Sequence, residues 1–299
     1  MRTLPHLALA GCIISSMSGC AIFGRHRQSP EAVAAAREMS RQGVASLELG
    51  QTKQAEELLK QALAQSPDDA SSHRYMAEAL WRRGAGQEAL AHMDEAVRLE
   101  PGNAALAVRA GEMSLASGGR DLALAHAERA IRLEPKLDSA WALRGRSFRQ
   151  LSQPDRALAD LQRAVELAPD RSDLLLEVAD IYRQRGQNER CLTALYHLLD
   201  TYPPGSQPQS VLVMQGLTLM DLGRPQQATD VFLAAREHGP PSADLYFYLA
   251  RSYSATGQVS DATAAAQQAL AINASHEPSR QLLAQLATRT SSPDASQRR

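Results

Sequence analysis

ASSHRYMAEALWRRGAGQEALAHMDEAVRLEPGN, residues 70–103, is followed directly by AALAVRAGEMSLASGGRDLALAHAERAIRLEPKL, residues 104–137, and laying one over the other decides the fold. Pro101 and Pro135 coincide, and the same step of 34 residues leads back to Pro67 and forward to Pro169 and Pro203. Small residues keep the step in two further columns: Ala55, Ala89, Ala123 and Ala157, then Ala62, Ala96, Ala130 and Ala164. Glycines hold two more, at 43, 111 and 145 and at 50, 84, 118 and 186. Several independent columns on one period mark an array of stacked supersecondary units.

The columns have physical meaning as they stand. Hydrophobic residues make up 44% of the 299-residue chain but aromatics only 4%, and alanine and leucine dominate; this is a composition for helices and not for strands. Gly84 in RRGAGQ ends a first helix through a left-handed cap. The proline stops the second helix and biases its predecessor away from helical geometry. Alanines at two fixed sites let the paired helices approach closely.

These features resemble the tetratricopeptide repeat family, whose 34-residue unit has small residues at its eighth, twentieth and twenty-seventh positions and proline at its thirty-second. Trp141 stands at the fourth-position tryptophan, and Phe148, Tyr182 and Tyr253 at the eleventh-position aromatic. The resemblance implies an all-α solenoid, a right-handed superhelix of seven helical hairpins at 36–69, 70–103, 104–137, 138–171, 172–205, 209–242 and 243–276. The last unit departs from the pattern with Ala274 in place of proline. Between units five and six the spacing grows by three residues, and TYPPGSQPQS is rich in Pro, Gly and Ser, which predicts a looser joint. Residues 277–289, EPSRQLLAQLATR, read as an amphipathic helix that covers the last hairpin. Residues 290–299 are too polar to fold alone.

The N-terminus MRTLPHLALAGCIISSMSGC has the three-part layout of a secretory signal and is too short and interrupted to span a bilayer. MSGC resembles a bacterial lipobox. By that resemblance residues 1–20 form a leader cut before Cys20, which carries the lipid, with Cys12 in LAGC as the alternative. Residues 21–35 then make a tether and the start of the first helix. Two or more acyl chains at about 0.8 kcal/mol per buried methylene suffice for stable anchoring. Ala21, where an aspartate would retain the protein elsewhere, points to the outer membrane with the array facing the periplasm. The competing reading is a leader on a cytoplasmic adaptor, or a regulatory subunit of a separately encoded enzyme.

Chemistry has little to stand on. Cys191 occupies the small-residue column of unit five. The histidines lack the spacing of a helical zinc site; His92 and His126 only mark one place on successive second helices. No phosphate loop or nucleophile elbow occurs, so neither a catalytic residue nor a cofactor is expected. With 32 basic and 33 acidic residues there is no bulk field to gather nucleic acid.

The expected function is protein binding in the concave groove. In the family that surface is lined by first-helix positions two, five, six, nine, twelve and thirteen. In units one to five those columns hold Arg37, Arg41, Arg74, Tyr75, Arg109, Arg146, Arg149 and Arg183, with Glu78, Glu112, Glu177 and Asp180 among them. An arginine excess suits an acidic or C-terminal peptide. The lysine–asparagine carboxylate clamp of some members is absent, since its early positions hold Ser40, Val44 and Tyr75. Unit six is different: SVLVMQGLTLMDL is apolar nearly all round. Val213, Met214, Leu217 and Met220, beside Phe247 and Tyr248 of unit seven, are expected to form an apolar pocket for a partner helix, an extended peptide or a second copy of the chain.

Overall fold

The computed structural model describes residues 29–291. The leader with Cys12 and Cys20, the tether as far as residue 28 and the tail from 292 lie outside the described residues. Helices follow one another throughout: α1 (Pro30–Glu48), α2 (Thr52–Gln65), α3 (Ala70–Arg83), α4 (Gly86–Leu99), α5 (Ala104–Ala116), α6 (Arg120–Leu133), α7 (Asp138–Gln150) and α8 (Pro154–Leu167). They continue as α9 (Ser172–Gln184), α10 (Asn188–Asp200), α11 (Gln209–Asp221), α12 (Pro225–Glu237), α13 (Ala243–Ala255), α14 (Val259–Ile272) and α15 (Glu277–Ser291). Each pair packs as a hairpin and each hairpin packs on the next. No described helix is long and apolar enough to cross a membrane.

Local chemistry sets the boundaries. First helices start on side-chain caps where the sequence supplies them: Asp69 accepts from the Ser72 N–H, Asn103 from Leu106 and Ser242 from Leu245. Gly84 closes α3 in the left-handed region at φ 86°. In unit four the same slot holds Ser152 at φ 57°, the one non-glycine with positive φ among the described residues; a Cβ there costs about 1–2 kcal/mol.

The small-residue columns are the hairpin seams. Ala55, Ala89, Ala123, Ala157, Cys191, Ala228 and Ala262 are all fully buried, and so are Ala62, Ala96, Ala130, Ala164, Leu198, Ala235 and Ala269. Cys191 is thus a packing residue beside Thr218 Oγ1 at 3.5 Å, and burial pushes its thiol pKa up. In unit six a ring stands where other units have Leu59, Met93 or Leu161: Phe232 is fully buried, and a Cβ on Gly216 would lie 2.3 Å from its Cε1. Only glycine fits opposite that ring.

The three-residue expansion leaves the core continuous. Val211 of α11 is buried in the cluster of Leu195 and Leu198 from α10, while Leu192 of α10 belongs to the cluster of Leu212, Phe232 and Leu249. The expected loosening is confined to an exposed turn at 203–206, where the Ser206 hydroxyl donates to the Pro203 carbonyl at 2.8 Å. The closing helix α15 packs Leu282 and Leu283 on the same apolar cluster and runs to Ser291, beyond the expected end at 289.

Candidate functional site

The first helices of units one to three enclose a cleft of about 420 Å³ whose floor is Val44, Leu47 and Leu106 and whose walls carry Glu48, Arg74, Tyr75, Glu78, Arg82 and Arg109. Three arginines and two glutamates line it, and Glu112 beside Arg109 supplies a third carboxylate just outside. Arg109 forks onto Glu78, with Nε and Nη2 donating at 2.6 and 2.7 Å, and reaches Glu112 at 3.1 Å. The Glu78 hydrogen bonds raise its already high pKa further. Arg82 donates to the Leu47 carbonyl at 2.7 Å and so satisfies the C-terminus of α1. Arg74 is different: its guanidinium lies 4.4 Å over the Tyr75 ring and donates to the Tyr75 hydroxyl at 2.9 Å. It has no carboxylate partner among the described residues.

A neighbouring cleft of about 470 Å³ is lined by Arg37, Ser40, Arg41 and Asp69. Arg41 is paired with Glu38, whereas Arg37 has no carboxylate partner among the described residues. Further along, Arg146 of α7 binds Glu177 and Asp173 of α9, and Asp180 takes both Arg149 at 3.9 Å and Arg183 at 3.2 Å. Hydrogen bonds from Arg171 hold the Asp173 carboxyl below its ordinary range. The predicted arginines stand on α1, α3, α5, α7 and α9, and Arg41, Arg109, Arg146, Arg149 and Arg183 are already paired with carboxylates of their own or a neighbouring first helix. Arg37 and Arg74 remain available.

The apolar set of unit six is half-buried rather than open. Met214 packs against the cluster that runs from α7 to α11, and Val213, Leu217, Met220 and Tyr248 pack against the cluster that α15 also covers. Tyr248 stacks on Phe232 with centroids 5.8 Å apart, and Phe247 meets the edge of His276. Among the described residues the exposed large apolar side chains are Leu49, Leu122, Leu133, Tyr196 and Ile272, none of them on α11 or α13. α11 is apolar all round because hairpins enclose it on two sides. Of the predicted pocket residues, Met220 lines a depression of about 400 Å³ with Arg251 and Leu282.

Two contributors escaped the sequence reading. Arg82 sits in a groove column and was legible there. The pairing of His73 with His92, Nδ1 to Nδ1 at 3.0 Å, was not, because the two stand on different helices of one hairpin.

Family models described as tetratricopeptide repeat match residues 40–104, 142–205 and 219–286, together about two thirds of the chain. No curated protein sequence matches it. A tetratricopeptide repeat protein from Parabacteroides merdae is similar in structure with TM-score 0.58 and 18% identity, covering 85% of this chain and 99% of that one. PilF of Pseudomonas aeruginosa gives TM-score 0.54 at 16% identity over 85% and 99% of the two chains. PilW, described as a widely conserved type IV pilus biogenesis factor, gives 0.59 at 16% identity over 66% and 90%. At these identities the likeness is one of fold.

Proposed function

The chain belongs to the tetratricopeptide repeat family, and from that premise we propose a lipid-anchored envelope scaffold whose first-helix face binds a peptide through a carboxylate. The observation that carries the reading is Arg74, a cation held in place by its own aromatic neighbour and lacking an acidic partner among the described residues, above an apolar floor. A guanidinium in that state offers a fork to a terminal or side-chain carboxylate. Val44, Leu47 and Leu106 take the apolar residue next to it, and Glu48 opposite favours a donor or a basic side chain one step away. The lipid at Cys20 is supported by the MSGC sequence, and the setting, assembly of an envelope machine, by fold-level analogy with the pilus biogenesis factor.

A peptide library displayed with free or amidated C-termini tests the binding. The wild-type chain is expected to select free carboxylates preceded by an apolar residue, and Arg74→Gln to lose the preference. Equal binding of both forms, or an unchanged profile in Arg74→Gln, removes the proposal. Fatty-acid labelling that persists in Cys20→Ser removes the Cys20 anchor separately.

A further inference from the structure

Unit two brings two imidazoles together outside the cleft of Arg74. His73 stands in the column that Trp141 fills in unit four and makes the same bond: Trp141 Nε1 donates to the Pro135 carbonyl at 2.9 Å, and His73 Nε2 to the Pro67 carbonyl at 3.0 Å. With that proton committed, neutral His73 presents the Nδ1 lone pair to His92 of α4, 3.0 Å away, the ring centroids being 5.1 Å apart. His92 must then be the donor, with its proton on Nδ1; the partner atoms leave no other neutral assignment.

We propose that His73 and His92 form a site for a borderline divalent transition-metal ion such as Zn²⁺ or Ni²⁺, with both Nδ1 atoms as ligands. Two nitrogens on tetrahedral zinc at about 2.0–2.1 Å stand roughly 3.3 Å apart, so the observed separation has to open by a few tenths of an ångström while the rings turn their lone pairs from each other towards the ion. A backbone carbonyl on the far nitrogen is the usual partner that orients a metal-ligating histidine, and His73 has it. Burial favours the neutral form of His92, the form that ligates. On binding, the His92 proton passes from Nδ1 to Nε2 and both rings stay neutral, so no net proton is released.

Glu88 and Glu95 lie one turn either side of His92 on α4 and add negative potential, while remaining tied to Arg83 and Arg98. No set of three or more metal-capable side chains occurs among the described residues. Water, or a side chain of a bound partner, therefore completes the shell. His92 lines an open cleft of about 500 Å³ in which Glu56, Glu57 and Glu88 are balanced by Lys53, Lys60 and Arg83, so an ion can reach the ring from solvent without crossing a net charge.

Calorimetric titration of the full chain with Zn²⁺ at mildly alkaline pH tests this, comparing wild type with His92→Gln, His73→Gln and, as control, His197→Gln, whose histidine is exposed on α10. Wild type and control are expected to share one isotherm, and His92→Gln to bind about tenfold or more weakly, with a wild-type enthalpy independent of the buffer's ionisation heat. Cysteines contribute alike to every chain and drop out of the difference. His73→Gln also breaks the Pro67 bond, so His92→Gln, checked for unchanged helicity, is the deciding variant. Coincident isotherms for wild type and His92→Gln, or an equal loss in His197→Gln, overturn the site.

Discussion

Units two and three meet through a charge pair, and units six and seven through an aromatic wall, yet the positions involved are the same. Glu78 of unit two, ninth in its repeat, takes Arg109, sixth in the next, across 31 residues. In units four and five the two columns carry the charges reversed, Arg146 to Glu177, again 31 apart. In units six and seven those columns hold Leu217 and Tyr248, both packed on the cluster around Phe232. The period thus fixes where neighbouring first helices touch. The residue types there decide only whether the joint is ionic or apolar, and hence how it answers to salt and pH.

The comparison breaks most easily at its apolar end. Phe232→Ala empties a fully buried site and is expected to cost about 3–5 kcal/mol. Because arrays of repeats depart from two-state unfolding, the measurement is local hydrogen exchange, with protection lost over 209–276 first. Protection lost evenly along the array would show that the two ends are not energetically distinct.

A smaller effect should come from Arg109→Met, which leaves Glu78 without its fork in a partly exposed joint; about 1–3 kcal/mol is expected. Its signature is salt dependence. At 1 M salt, where screening acts over about 3 Å, the gap to wild type should narrow, whereas the Phe232→Ala gap should not. If both gaps respond alike, the ionic reading of the joint fails.

The smallest difference is one of pH. Burial holds the imidazoles of His92 and His126 below the ordinary histidine value, and His126 Nε2 is buried without a hydrogen-bond partner. The unfolded chain then binds more protons than the folded one as pH falls through the ordinary imidazole range. Stability contributed by the neutral rings is present above that range and is lost below it. With a chelator present, units two and three should loosen between neutral and mildly acid pH, and His92→Gln with His126→Gln should flatten the profile. An unchanged profile in the double variant would place the titration elsewhere.

What the sequence made legible follows the same division. Columns imposed by steric closeness were readable, because a seam that favours Ala, Cys or Gly leaves its mark in nearly every repeat, Leu198 being the exception; Ala123 and Cys191 are two instances. The joints were harder. Arg146 and Arg109 both stood in groove columns, but whether each faced solvent or a carboxylate depended on the register between successive helices, which the period implies but a single column does not display. The apolar run of α11 showed its composition without its enclosure, since the hairpins that cover it come from both sides along the chain. His73 was hidden by its position: in a column defined by Trp141, a histidine reads as a poor tryptophan, and its second nitrogen has no counterpart in the pattern.

The exposed turn at 203–206 carries one last consequence. It lies outside both flanking helices while the cores on either side interlock through Val211 and Leu192, so added length there is tolerated without unstitching the array. A fluorophore or a small tag placed between Gly205 and Gln207 would ride at the junction of the ionic and apolar segments, and its orientation would report bending of the array in a protein whose first-helix face had been left untouched.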